Sequence, residues 1–247
     1  MTPTQTLTDR TVIVTGASSG IGAATVDALA ADGANLVLAA RREGRLEEIA
    51  AEADAEHGAE TLVVPTDVTD REAVDTLIEE TLERFGGLDA LVNNAGLGLG
   101  GDVETMTDEE FETMQSVNVD GVFYATRAAL PHVRASEGHL LFVGSFAGQY
   151  PRPQNPVYAA TKWWVRGFAH SVAAQVGDDD VAVTVVNPSE VRSEFGGNGE
   201  DSFEERFEEG EVSEPEEIAD AIRFALTRSP SAVSELDLFR RDKFSGF

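Results

Sequence analysis

Short runs of β-branched and aliphatic residues alternate with longer helical patterns along the whole chain, and this alternation restricts the fold more than any other feature. Thr11–Thr15 (TVIVT) reads as a strand, followed by a glycine turn and an alanine-rich helix over about 21–32. The pairing recurs: strand Asn35–Ala40 with a helix over 44–57, strand Thr61–Pro65 with a helix near 70–85, and strand 88–92 with a long helical pattern over 107–135. Strand His139–Val143 precedes a helix over 157–176, strand 181–186 precedes a helix over 214–227, and Glu235–Leu238 closes the series. No linker, repeat or low-complexity stretch interrupts it. Buried-type strands separated by amphipathic helices predict an α/β fold: one doubly wound parallel sheet of about seven strands with helices on both faces. A chain of 247 residues suits one such domain. In these sheets ligands bind beyond the carboxyl ends of the strands, where the strand order reverses, so functional residues are expected just after strands.

Composition narrows the chemistry. Forty-five acidic residues against 18 basic ones give a net charge of −27, which repels phosphate and disfavours a nucleic-acid partner. Cysteine is absent, which removes disulfides, thiolate zinc sites and cysteine nucleophiles. The histidines, His57, His132, His139 and His170, show no metal-ligand spacing, so no metal is expected. No apolar run is long enough to cross a bilayer, so no membrane partner is expected. The segment Met1–Arg10 is polar and lacks an apolar signal core, which points to the cytoplasm. Only Lys162 and Lys243 are lysines; every other basic residue is arginine. An acid-rich, lysine-poor chain resembles proteins of salt-accumulating halophiles, where the Debye length falls to about 3 Å near molar salt and screens self-repulsion.

Two segments carry recognisable chemistry. Thr15–Gly22 (TGASSGIG) lies between the first strand and the first helix. Glycine serves where a turn is tight and where backbone must approach a pyrophosphate, and the helix start offers free N–H groups to it. Tyr158 and Lys162 stand four apart in a helical pattern and share one face. A free phenol, with a pKa of about 10, is a poor acid–base catalyst at neutral pH, and a neighbouring ammonium favours its ionised form. Lysine persists at 162 where the chain otherwise prefers arginine, which suits a role that a planar guanidinium cannot fill.

With these segments the chain resembles the short-chain dehydrogenase/reductase family over nearly its whole length. The likeness rests on Thr15–Gly22, Asp67-Val68, Asn93-Asn94-Ala95-Gly96, Asn118, Ser145 and Tyr158-Ala159-Ala160-Thr161-Lys162. It implies a single Rossmann-like dinucleotide-binding oxidoreductase domain over 1–247. The resemblance makes Gly16, Ser18, Ser19, Gly20, Ile21 and Gly22 the pyrophosphate turn, and sets Asp67 and Val68 beside the adenine. It brings Asn94, Ala95 and Gly96 to the cofactor backbone, and Pro188, Val191 and Ser193 to its nicotinamide half. Ala40 stands where NAD-preferring members carry an acid, and Arg41 and Arg42 follow. NADP is therefore favoured, with NAD possible.

By the same resemblance Asn118, Ser145, Tyr158 and Lys162 form the catalytic set. Tyr158 is the general acid/base in hydride transfer between a carbonyl and a secondary alcohol, and Ser145 bonds the substrate oxygen. Lys162 holds the nicotinamide ribose, and Asn118 distorts its helix and anchors a proton-relay water. The expected partner is a small carbonyl or alcohol, and a homotetramer is implied through the last strand and paired long helices. Competing readings are a non-catalytic cofactor-binding sensor or scaffold, which usually lacks part of this set, and a 3-oxoacyl-type reductase, whose acidic carrier this charge would repel. Phe146 and Pro188-Ser189 depart from the family's small residue and Pro-Gly.

A substrate lid is expected over about 193–212, hinged at Gly196-Gly197 and Gly210, with Phe203 and Phe207 turned inward. The acids Glu200, Asp201, Glu204, Glu205, Glu208 and Glu209 read either as a gate for a cationic substrate or, more simply, as a solvated face. Tyr150, Trp163 and Trp164 are candidate pocket, core or interface residues. The tail, about 237–247, mixes basic and aromatic residues and is expected to pack on a neighbouring subunit.

Overall fold

A computed structural model describes residues 6–196 and 201–245. The expected Gly197 hinge, Glu200, Gly246 and Phe247 lie outside the described residues. Seven strands form one all-parallel sheet: β1 (Thr11–Thr15), β2 (Asn35–Ala40), β3 (Thr61–Pro65), β4 (Ala90–Asn93), β5 (His139–Val143), β6 (Ala182–Pro188) and β7 (Glu235–Leu238). Their order is β3-β2-β1-β4-β5-β6-β7, so the chain winds outward from β1, returns to lay β4 beside it, and winds outward the other way. The reversal falls between β1 and β4, where Val12, Ile13 and Val14 pair with Ala90, Leu91 and Val92.

Successive strand residues point to opposite faces, which divides the core in two. Val12, Val14, Leu36 and Leu38 face the layer containing α1 (Gly20–Ala30), α2 (Glu43–His57) and, from the far end of the chain, α8 (Pro215–Leu226). Ile13, Val37, Leu91, Leu140 and Phe142 face α3 (Arg71–Phe85), α5 (Val122–Ala135) and α6 (Pro156–Gln175). No helix among the described residues is long and apolar enough to cross a membrane.

The long helical pattern over 107–135 is not one α-helix. A capping box of Thr107 and Glu110 starts α4 (Asp108–Gln115), a π-helical turn occupies Ser116–Gly121, and α5 continues from it. The turn is packed tightly: a Cβ on Gly121 would lie 2.7 Å from Cγ2 of Val68, in the loop after β3. Asn118 sits in this widened turn, and such turns occur frequently at functional sites. In α6, Pro156 occupies the first turn and Asn155 caps the helix, its Oδ1 accepting from the Tyr158 N–H at 3.2 Å. The cap thus sets the start of the helix that carries Tyr158 and Lys162.

Candidate active site

The loops after β1 and β4 are fastened together at the strand-order reversal. Thr15 Oγ1 accepts from the backbone N–H groups of Asn94 (3.0 Å) and Ala95 (3.1 Å) and donates to the Val92 carbonyl. Asn94 Nδ2 donates to the carbonyls of Thr15 (2.9 Å) and Gly16 (3.1 Å). No side chain fits inside this crossing. Gly16 has φ +66°, and a Cβ on Gly22 would lie 2.1 Å from the Gly16 carbonyl oxygen. Gly20 faces Ser193 across the cleft, where a Cβ would come within 3.1 Å of the serine Cβ. Ser19 begins α1 without a side-chain cap, leaving the first-turn N–H groups to an external acceptor. This close-set cradle fits a dinucleotide pyrophosphate, and Ile21 packs from it into the core.

Arg42 reaches the cradle. Its Nε donates to Ser18 Oγ (3.1 Å), its Nη2 to the Ser18 carbonyl (3.3 Å), and its Nη1 to Glu194 (2.8 Å). Arg41 is exposed and makes no side-chain hydrogen bond or ion pair among the described residues. Asp67 turns the loop after β3 by accepting from the N–H and hydroxyl of Thr69, and Val68 is buried beside Gly121. Pro188 ends β6, and Val191 bridges to Ser213, which leads the chain to Ser193.

The four expected catalytic residues come together at the carboxyl end of β5. Ser145 follows β5, and its side chain is close enough to the Tyr158 phenol to pull the phenol pKa down. Lys162 is buried one helical turn beyond, 5.9 Å from the Tyr158 ring centroid, and its Nζ donates to the Val143 carbonyl at 3.0 Å. Asn118 donates to the Leu97 carbonyl (2.8 Å) and Thr161 Oγ1 (3.1 Å) and accepts from the Leu97 N–H (2.9 Å). Gly96 separates it from the lysine: a Cβ there would stand 3.3 Å from Asn118 Oδ1 and 3.4 Å from Lys162 Nζ.

The electrostatics differ from the simple expectation that Lys162 lowers the phenol pKa. Burial pushes Tyr158 upward, while the Ser145 side chain and the positive charge of Arg152 pull against it. Burial also pushes the Lys162 ammonium down to about 8. The lysine ammonium is turned to a backbone carbonyl, and a further cation, Arg152, a loop residue no motif marks, also pulls the phenol pKa down.

Other residues of the site also escape motif reading. Asn187, fully buried near the end of β6, accepts from the Ser145 N–H (3.3 Å) and donates to Glu235 (2.6 Å) and Asp237 (2.9 Å) on β7. An asparagine inside an apolar strand is the one sequence signal that marks it. Phe195 lies 5.7 Å from Tyr158, ring centre to ring centre, and makes room for itself beside Gly98. Phe203, on the short helix α7 (Phe203–Arg206), packs on Phe195 at 5.7 Å, and Phe207 on Phe203 at 5.8 Å. Tyr158, Phe195, Phe203 and Phe207 thus form a row of touching rings. Asp201, Glu204, Glu205, Glu208 and Glu209 are exposed, and Glu205 caps α7 through Ser202. This favours a solvated face over an acidic gate.

Trp164 stacks on Phe168 against the core, while Trp163 is 49% exposed. Tyr150 stacks on Phe146. The tail folds onto its own chain: the Phe239 and Phe244 rings meet Phe146, Arg240 N–H donates to Ser189, and Lys243 bonds Glu190. Among the described residues, the one group of His, Asp and Glu close enough to share a metal ion is Asp27, Glu56 and His57, exposed on α1 and α2.

Comparison with known proteins agrees with this architecture. The family model for short chain dehydrogenases matches residues 10–202. An uncharacterised oxidoreductase of Staphylococcus aureus (strain MW2) is 34% identical over 229 residues, 92% of this chain and 95% of its own. The X-ray structure of an alcohol dehydrogenase from the archaeon Thermococcus sibiricus, complexed with 5-hydroxy-NADP, superposes with a TM-score of 0.86 at 35% identity, covering 93% of this chain and 95% of that one. A 3-ketoacyl-(acyl-carrier-protein) reductase from Brucella melitensis, complexed with NADH, superposes with a TM-score of 0.83 at 30% identity, covering 94% and 98%.

Proposed function

Because the chain belongs to the short-chain dehydrogenase family, we propose that it interconverts a carbonyl and a secondary alcohol with NADP(H), using Tyr158 as general acid and base. The observation that carries this reading is the convergence of Ser145 and the Tyr158 phenol, with Lys162 one turn along the same helix and 3.4 Å from where a Cβ on Gly96 would stand. Gly16, Gly20, Gly22, Asn94 and Ala95 hold the dinucleotide, which when bound supplies hydride chemistry at the nicotinamide. Arg42 supports NADP over NAD, since its guanidinium already grips Ser18 at the cradle and suits a 2′-phosphate. The 5-hydroxy-NADP bound by the Thermococcus alcohol dehydrogenase supports the same preference.

In the reductive direction the substrate oxygen sits between Ser145 and Tyr158. The Ser145 hydroxyl stabilises charge on that oxygen, and its position is fixed because Asn187 holds the Ser145 N–H while Ala147 N–H donates to its Oγ. Tyr158 donates the proton, and in the oxidative direction it accepts one. Lys162 and Asn118 lie behind the phenol as the route for its replacement. Phe195 packs on one side of the Tyr158 ring. A homotetramer fits the apolar side chains left exposed on α5 (Phe123, 39%), α6 (Trp163, 49%) and α8 (Phe224, 46%). The test is a panel of ketones, aldehydes and alcohols with NADPH, NADH and their oxidised forms, run in molar KCl. The reading expects turnover that prefers NADPH; no turnover with any pair would refute it.

A further inference from the structure

The chain's second lysine does no work in the mechanism above, yet it is buried beside the site. Lys243 is 9% exposed, its ammonium lies 4.4 Å over the ring of Phe146, and it bonds Glu190. Two more cations converge there. Arg152 stands 3.7 Å from Glu190 Oε1, and Arg240 stands 3.9 Å from Oε2 and 3.1 Å from the exposed Asp242. Two carboxylates, Glu190 and Asp242, face these three cations. Glu190 Oε2 is buried without a hydrogen bond, Arg240 Nε is ion-paired to Asp242, and the Arg152 guanidinium donates no hydrogen bond among the described residues. Arg152 and Arg240 also push the Lys243 ammonium downward, after burial itself. The cluster over Phe146, the neighbour of Ser145, therefore carries one positive charge in excess, with Arg152 and Lys243 both over the ring. Such an arrangement is expected where an anion arrives to offset it.

Arg152 is placed to receive that anion. Its guanidinium lies 5.9 Å over the Phe146 ring, the residue next to Ser145, and its charge acts on the Tyr158 phenol. Arg240 is engaged by Asp242 and Lys243 by Glu190, so the fork of Arg152 is the one not committed at hydrogen-bond distance. We propose that the carbonyl compound accepted between Ser145 and Tyr158 carries a carboxylate, and that Arg152 recognises it. A planar fork matches a carboxylate with two parallel hydrogen bonds. Lys243 and Glu190 are positioning residues that hold the tail against Phe146, the residue next to Ser145. The assignment rests on the carbonyl-reductase reading above.

The test uses pyruvate, acetoacetate and levulinate, whose ketones lie adjacent to, one carbon from and two carbons from the carboxylate, each against its methyl ester. The assay runs with NADPH at the lowest KCl that keeps the enzyme folded. At least one acid should exceed its ester in kcat/KM by about 10- to 100-fold, the range of a hydrogen bond to a charged group. In R152Q that preference should collapse, chiefly through a raised KM for the acid, and R152K should retain part of it. Butanoate, which cannot be reduced, should inhibit ester reduction by the wild type and not by R152Q. Esters reduced as well as acids by the wild type, or equal losses for acid and ester in R152Q, would overturn the role of Arg152 alone. Failure of acids, esters and neutral ketones alike with both NADPH and NADH would overturn the reductase reading, and this one with it.

Discussion

Glu235, on the edge strand β7, ties Ser145 to the rim of the sheet through Asn187, and its charge state should control stability. Its carboxylate accepts from Arg166 Nε (2.7 Å) and Nη2 (3.0 Å), Gln149 Nε2 (2.9 Å) and Asn187 Nδ2 (2.6 Å), and Asn187 in turn holds the Ser145 N–H. Burial alone would raise its pKa, but these donors, Arg166 foremost, outweigh burial and bring it from 4.5 to about 2. A folded value below the unfolded one gives stability that is present above 4.5 and lost as pH falls through about 2. At 1.36 kcal/mol per unit the shift is worth about 3 kcal/mol, and salt screening of a side chain 19% exposed trims this to about 2 kcal/mol. Glu235→Gln should therefore lose about 2 kcal/mol at pH 7 in urea unfolding at constant KCl. One unit below the unfolded value, near pH 3.5, the gap to the wild type should narrow by about 1.4 kcal/mol. A gap that is absent, or that stays the same at both pH values, would refute the reasoning.

The remaining predictions concern the cofactor end and the surface. Replacing Arg41 and Arg42 by alanine should weaken NADPH binding much more than NADH binding in fluorescence titrations, and equal losses would show that neither reads the 2′-phosphate. Because Glu194 already holds Arg42 at 2.8 Å, Glu194→Gln should strengthen NADPH binding severalfold and leave NADH nearly unchanged. With a net charge of −27, activity should fade and the proposed tetramer dissociate, by light scattering, when KCl falls from molar to about 0.1 M. Full activity and an unchanged mass at low salt would count against a halophilic surface.

Strand and helix alternation made the sheet legible in the sequence because each strand is a compact apolar run whose neighbours are fixed by the right-handed windings of β–α–β units. The glycine turn and the Tyr158–Lys162 pair were legible because their spacing encodes geometry directly: one turn of helix, or a backbone crossing with no room for a Cβ. The break in the long helical pattern at Ser116–Gly121 was not readable from periodicity, since a π turn adds one residue without changing residue type. Arg152, Glu190, Asn187 and Phe195 act through partners 37 to 53 residues away or across the cleft, and local pattern carries no such information. Lys243 left a compositional trace, lysine kept where arginine is the rule, but its partner Glu190 emerges only when the tail is folded back.

The most direct test of the central claim is Tyr158→Phe, which removes one hydroxyl and leaves the ring against Phe195. Its reductase turnover, its NADPH affinity and its unfolding midpoint should be measured together in molar KCl against the wild type. The account predicts a turnover loss of at least about 10²-fold with affinity and folding unchanged, as expected of a lost general acid. Turnover near the wild-type value would contradict it.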